Sequence, residues 1–133
     1  MIKIATITTH GALNYGAVLQ AYALSTYLNG AGYHCEILDY RPNYVKESYR
    51  LIKAPHSPSG VLLAGFQALH YQERKTRKQR FEQFQKEYLR TTYEKATQRE
   101  ELTALANEFD LLICGSDQIW NPKLHHFDEA YFL

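Results

Sequence analysis

The sequence predicts an α/β domain, a Rossmann-like three-layer fold in which helices cover a parallel sheet. The run Ile2–Thr8 is rich in β-branched residues with little interruption, which suits a strand covered on both faces. Ala17, Ala21, Leu24 and Leu28 then recur at helical spacing, predicting an amphipathic helix over Ala17–Asn29. Gly30 and Gly32 are placed to stop it, and Tyr33–Asp39 reads as a second strand. Strand, glycine-containing loop, helix and strand make a βαβ unit, the unit from which parallel sheets are built.

The remaining elements follow in order. Residues 40–65 carry Pro42, Pro55 and Pro58 and read as an irregular flap. Phe66 to Leu89 is long, polar and free of glycine and proline, which predicts one helix. Thr91–Gln98 reads as a break, and Arg99–Asn107 as a short helix with Leu102 and Leu105 facing inward. Phe109–Cys114 is expected to be a third buried strand, running directly into Gly115. The sequence closes on the apolar Ala130-Tyr131-Phe132-Leu133, whereas domains tend to end in something solvated. Three strands are also few for an α/β sheet. The expectation is that residues 1–133 form an amino-terminal lobe, apparently truncated from a longer protein.

Composition narrows the function. With 133 residues, 45% of them apolar, the chain can bury one ordinary core. Fifteen basic side chains nearly cancel fourteen acidic ones, and a net charge of +1 gives no global reason to expect nucleic acid. No apolar run approaches the roughly 18 residues of a membrane span, and the start lacks a leader pattern. A cytoplasmic location is expected. Cys35 and Cys114 form no zinc or disulfide pattern and read as free core thiols.

Two loops carry the polar groups that chemistry needs, and each follows an expected strand. In open α/β sheets, ligands gather outside the carboxyl ends of the strands. In the first loop, Asn14-Tyr15-Gly16 leads into a helix whose free N–H groups favour an anion. Gly16 would let a ligand approach the backbone, and Asn14 is either a ligand hydrogen-bonder or simply the helix cap. The glycines lack dinucleotide spacing, so Asp39 at the second strand's exit is not read as a ribose-binding acid. The second loop concentrates Gly115, Ser116, Asp117 and Gln118, then Trp120 and Asn121 before Pro122. That density of polar groups exceeds what a turn requires. The plainer reading is a turn with Trp120 plugging the core.

Other features read as structural. Arg74, Lys75, Arg77, Lys78 and Arg80 form a solvated helix face. Phe81, Phe84 and Tyr88 read as core anchors, and adjacent His125 and His126 diverge too far to share a metal.

These motifs resemble a known family. Asn14-Tyr15-Gly16-Ala17-Val18-Leu19-Gln20-Ala21-Tyr22-Ala23-Leu24 is similar to the opening motif of polysaccharide pyruvyl transferase-family proteins. Leu38-Asp39-Tyr40-Arg41-Pro42, the helix with Phe81 and Phe84, Phe109-Asp110 and the stretch from Gly115 to Pro122 follow in that family's order. The resemblance implies the first lobe of a two-lobed protein like the GT-B glycosyltransferases, with the carboxy-terminal lobe missing here. It also implies transfer of pyruvate from phosphoenolpyruvate to a pair of sugar hydroxyls on a polysaccharide, as a ketal. Phosphoenolpyruvate and a glycan acceptor are then the expected partners.

Such chemistry sets its own requirements: an acid for the methylene carbon, a base for the hydroxyls, and cations or N–H groups for the carboxylate and phosphate. Asp117 is the expected catalytic carboxylate. Asn14, Tyr15, Gly16, Arg41, Gly115, Ser116, Gln118, Trp120 and Asn121 are the expected substrate-binding residues. Arg41 would serve as a two-pronged carboxylate clamp. The scheme requires no metal and no organic cofactor. A nucleotide-sugar glycosyltransferase, or a fragment that only binds glycan or a partner protein, are the rival readings.

Overall fold

The computed structural model describes residues 1–52, 57–115, 118–120 and 128–132. Four strands form one all-parallel sheet: β1 (Lys3–Ile7), β2 (His34–Tyr40), β3 (Thr91–Ala96) and β4 (Leu111–Cys114), in spatial order β3-β2-β1-β4. The helices are α1 (Tyr15–Gly30), α2 (Asn43–Ser48), α3 (Pro58–Leu69), α4 (Tyr71–Tyr88) and α5 (Arg99–Ala106). Short 3-10 turns follow at Gln118–Trp120 and Glu129–Phe132.

Alternation along the strands splits the core into two layers. On one face Ala5, Ile7, Leu38 and Tyr40 pack with Leu102, Leu105 and Ala106 of α5, joined by Ile119 and Tyr131. On the other, Ile37 packs with Val18 and Ala21 of α1, Phe81 of α4 and Leu89. This is the expected three-layer α/β arrangement. The chain moves outward from β1 to β2 to β3, then crosses back over α5 to place β4 on the far side of β1. The order therefore reverses between β1 and β4, the place where open α/β sheets form a ligand crevice.

Several expectations need correction. Thr91–Gln98, read as a break, contains β3, so the sheet has four strands rather than three. Thr91, Thr92 and Tyr93 favour a strand, but Tyr93, Glu94 and Lys95 all face solvent, and this polarity at an outer strand hides the pattern while discouraging further pairing. β4 is not buried on both faces: Leu111 is 49% and Leu112 37% exposed, because this strand is the opposite edge of the described sheet. Cys35 is buried as expected, while Cys114 is only half-buried. The single helix expected from Phe66 to Leu89 is two, α3 and α4, parted at His70. The expected flap at 40–65 includes α2 and the first turns of α3. Tyr88, read with Phe81 and Phe84 as a core anchor, is 49% exposed at the end of α4. Its ring packs edge-on against Tyr22.

Candidate functional site

β1 and β4 run side by side with Ile7 opposite Cys114, so the loops that follow them leave from the same edge of the sheet. The Gly115 N–H extends the ladder by donating to the Ile7 carbonyl at 2.8 Å. A side chain at position 115 would meet Thr8 Cβ and Oγ1 at 2.9 Å, so the strands can part here only around a glycine. Thr8 Oγ1 is buried without a hydrogen-bond partner among the described residues. A buried orphan hydroxyl is uncommon, and it lies at the carboxyl end of β1, beside the strand reversal.

The first loop is tied down at its end by Asn14. Its side-chain oxygen accepts from the Gly16 and Ala17 N–H groups at 2.8 and 3.4 Å, which makes it the N-cap of α1 and starts the helix two residues before Ala17. Two of the N–H groups expected to cradle an anion are thus already engaged. Gly16 leaves room for the cap itself, since a Cβ there would stand 3.3 Å from that oxygen. Tyr15 is largely exposed, with its ring 4.7 Å from Phe81 and the Arg77 guanidinium 5.9 Å from its centre. Arg77 also donates to the Leu13 carbonyl, leaning α4 against the loop.

A buried ionic network that the sequence reading overlooked joins this loop to β2. His10 is fully buried; its Nε2 lies 3.0 Å from Asp39 Oδ1, and its Nδ1 lies 3.2 Å from the Thr8 carbonyl. Both ring nitrogens face oxygen acceptors. Arg41 Nε donates to the same Asp39 oxygen. Burial pushes the Asp39 carboxyl up, but the hydrogen bonds from His10 and Arg41 outweigh it and hold the group below its usual range. The parallel pairing of β1 with β2 was the available signal. A histidine just past one strand and an acid at the end of its neighbour must lie close together.

Arg41 is therefore partly committed. Its Nε serves Asp39, while its terminal nitrogens have no partner among the described residues and the side chain is about one-third exposed. On the opposite face of β2, Tyr40 and Tyr44 both donate to Asp128 Oδ2, at 2.7 and 3.1 Å. Burial, reinforced by that carboxylate, raises both phenols, and burial lifts Tyr131 beside them to about 12.

The second loop is described only in part. Gly115 is buried, and Trp120 is half-exposed, with its indole N–H donating to Cys114 Sγ at 3.3 Å and its ring stacked 6.5 Å from Phe132. Ile119 rather than Trp120 fills the core. Ser116, Asp117, Asn121 and the Gln118 side chain lie outside the described residues, as do His125 and His126. Among the described residues no cluster of His, Cys, Asp and Glu could hold a metal ion.

The family model described as Polysaccharide pyruvyl transferase matches residues 14–133. No curated protein and no solved structure gives a significant match.

Proposed function

Because the chain belongs to the polysaccharide pyruvyl transferase family, we propose that it takes part in moving pyruvate from phosphoenolpyruvate onto two hydroxyls of a sugar. Protonation of the methylene carbon makes a methyl group and leaves an electron-poor centre carrying carboxylate and phosphate. One hydroxyl adds there, phosphate departs with the carbon–oxygen bond pair, and the second hydroxyl closes the ketal. The two hydroxyl protons balance the one gained by carbon and the one carried off with phosphate.

The observation that supports this reading is that the strands leading into the two motif loops end side by side at the strand reversal, with Gly115 packed directly against Thr8. We assign the acid or base role to Asp117, which follows β4 by three residues. The terminal nitrogens of Arg41 are assigned to the substrate carboxylate, a planar fork suited to a planar anion. His10 and Asp39 are too buried to touch substrate; they act as positioning residues that fix the direction of Arg41. Asn14, Tyr15, Gly16, Gly115, Ser116, Gln118, Trp120 and Asn121 complete the proposed binding surface. A carboxy-terminal lobe would close it.

The test is phosphate release from phosphoenolpyruvate by the full-length protein, measured with and without a glycan acceptor. Release that depends on acceptor, with a ketal-linked pyruvate detected on the sugar, is the expected result. Protection and turnover by a nucleotide sugar instead would assign the protein to glycosyl transfer and sink the proposal.

A further inference from the structure

Helix α3 is built inside out. Its sequence from Pro58 to Leu69 contains no charged residue, yet Val61, Leu62, Leu63, Phe66 and Leu69 are exposed, and among its described side chains the polar Gln67 is the buried one. Leu62, Phe66 and Leu69 follow one another at four- and three-residue steps, so they form a single stripe. Leu62 and Leu69 are 79% and 81% exposed, far more than scattered surface leucines require.

What lies next to the stripe suggests its partner. Only His70 separates α3 from α4, and α4 opens with Arg74, Lys75, Arg77, Lys78 and Arg80 against the single acid Glu73. Glu73 is hydrogen-bonded to His70 and Lys78 pairs with Glu82, which still leaves the basic side chains of this stretch in excess. Lys75 and Arg80 are exposed and make no ion pair among the described residues. An apolar stripe one residue from a basic helix is the composition of a segment that lies in the plane of an anionic bilayer.

We propose that α3 and the first turns of α4 dock the protein on an anionic membrane surface. Leu62, Phe66 and Leu69 enter the acyl boundary, and Lys75 and Arg80 hold the headgroups. A protein partner with an acidic rim, or a second copy of this chain, would present different chemistry and becomes an outcome of the test.

The experiment is co-sedimentation of the protein with phosphatidylglycerol vesicles and with phosphatidylcholine vesicles, at low and high salt. Pelleting only with phosphatidylglycerol, weakened by salt, is expected. Lys75→Gln and Arg80→Gln should each reduce binding about fivefold. Leu62→Ser with Leu69→Ser should abolish it while leaving the circular dichroism spectrum and melting temperature unchanged, since both side chains lie outside the core. Equal pelleting with both lipids, or no response to the charge variants, would overturn the proposal. So would absence of pelleting together with a concentration-dependent dimer in analytical ultracentrifugation.

Discussion

Gly115 and Thr8 touch across neighbouring strands so closely that no side chain larger than hydrogen fits at position 115. The missing Cβ would lie 2.9 Å from both Cβ and Oγ1 of Thr8. The backbone here does not need glycine for its dihedral angles, since the one glycine with positive φ is Gly32 among the described residues. Gly115→Ala should therefore destabilise the fold by about 1–3 kcal/mol through overpacking alone. Urea unfolding with an unchanged slope would show this as a lower midpoint. An unshifted midpoint would mean that the strands separate here at no cost.

Asp39 is 2% exposed and receives both His10 and Arg41. Removing its charge leaves the buried His10 and the partly exposed Arg41 facing a neutral group, and Asp39→Asn should cost about 3–5 kcal/mol. The pH dependence has a definite sign. The folded carboxyl titrates below its unfolded value of about 3.9, so its contribution is present above that value. It is lost as pH falls through the folded value. Stability of the parent protein should drop below about pH 5 more steeply than that of Asp39→Asn. Parallel acid limbs for the two proteins would show that Asp39 is not held in its ionised form.

Thr92 repairs an irregularity in the sheet. Between Ile37 and Asp39 the register of β2 against β3 shifts, and the ladder is interrupted. The Thr92 hydroxyl accepts from the Asp39 N–H at 3.0 Å and donates to the Glu94 carbonyl at 2.9 Å, standing in for a backbone bond. Thr92→Val keeps the shape but leaves the buried amide unsatisfied, at about 1–3 kcal/mol. Thr92→Ser retains the hydroxyl and should lose less than half of that. Equal losses in thermal unfolding would assign the effect to the methyl group instead.

The role proposed for Asp117 is tested by a variant that separates chemistry from folding. Asp117→Asn keeps turn-forming capacity but removes acid and base function. If Asp117 is the acid or base, turnover of the full-length protein should fall by about 10²–10⁴ with little change in melting temperature. Turnover within about threefold of the parent would remove Asp117 from the catalytic assignment. Loss of stability in proportion to activity would mark it as a structural carboxylate.

The βαβ unit was legible because its two strands carry buried apolar residues at Ile4, Ala5, Ile7, Cys35, Ile37 and Leu38, and its helix repeats small and branched residues at regular spacing. β3 was not, because this outer strand buries only Thr92 and Ala96 and fills the three positions between them with Tyr93, Glu94 and Lys95, which breaks the two-residue alternation. The split between α3 and α4 was hidden for another reason. His70 interrupts them without glycine or proline, serving as the C-cap of one and the N-cap of the other. Asn14 was legible as a cap from its residue type. The His10–Asp39 contact needed the strand order first, since the partners lie 29 positions apart.

The amino end of the sheet is fastened differently. There Asn29 uses its side-chain amide to bond the Ser25 and Cys35 carbonyls at 2.7 and 2.9 Å, and the amide oxygen receives the Cys35 N–H at 3.2 Å. An amide does not titrate, whereas the carboxyl end is secured through an ionised acid. Acid should therefore loosen the Asp39 network while leaving the Asn29 bonds themselves intact. Amide protons near His10 and Asp39 would exchange first, while those around Asn29 and Cys35 would stay protected until the whole sheet gives way.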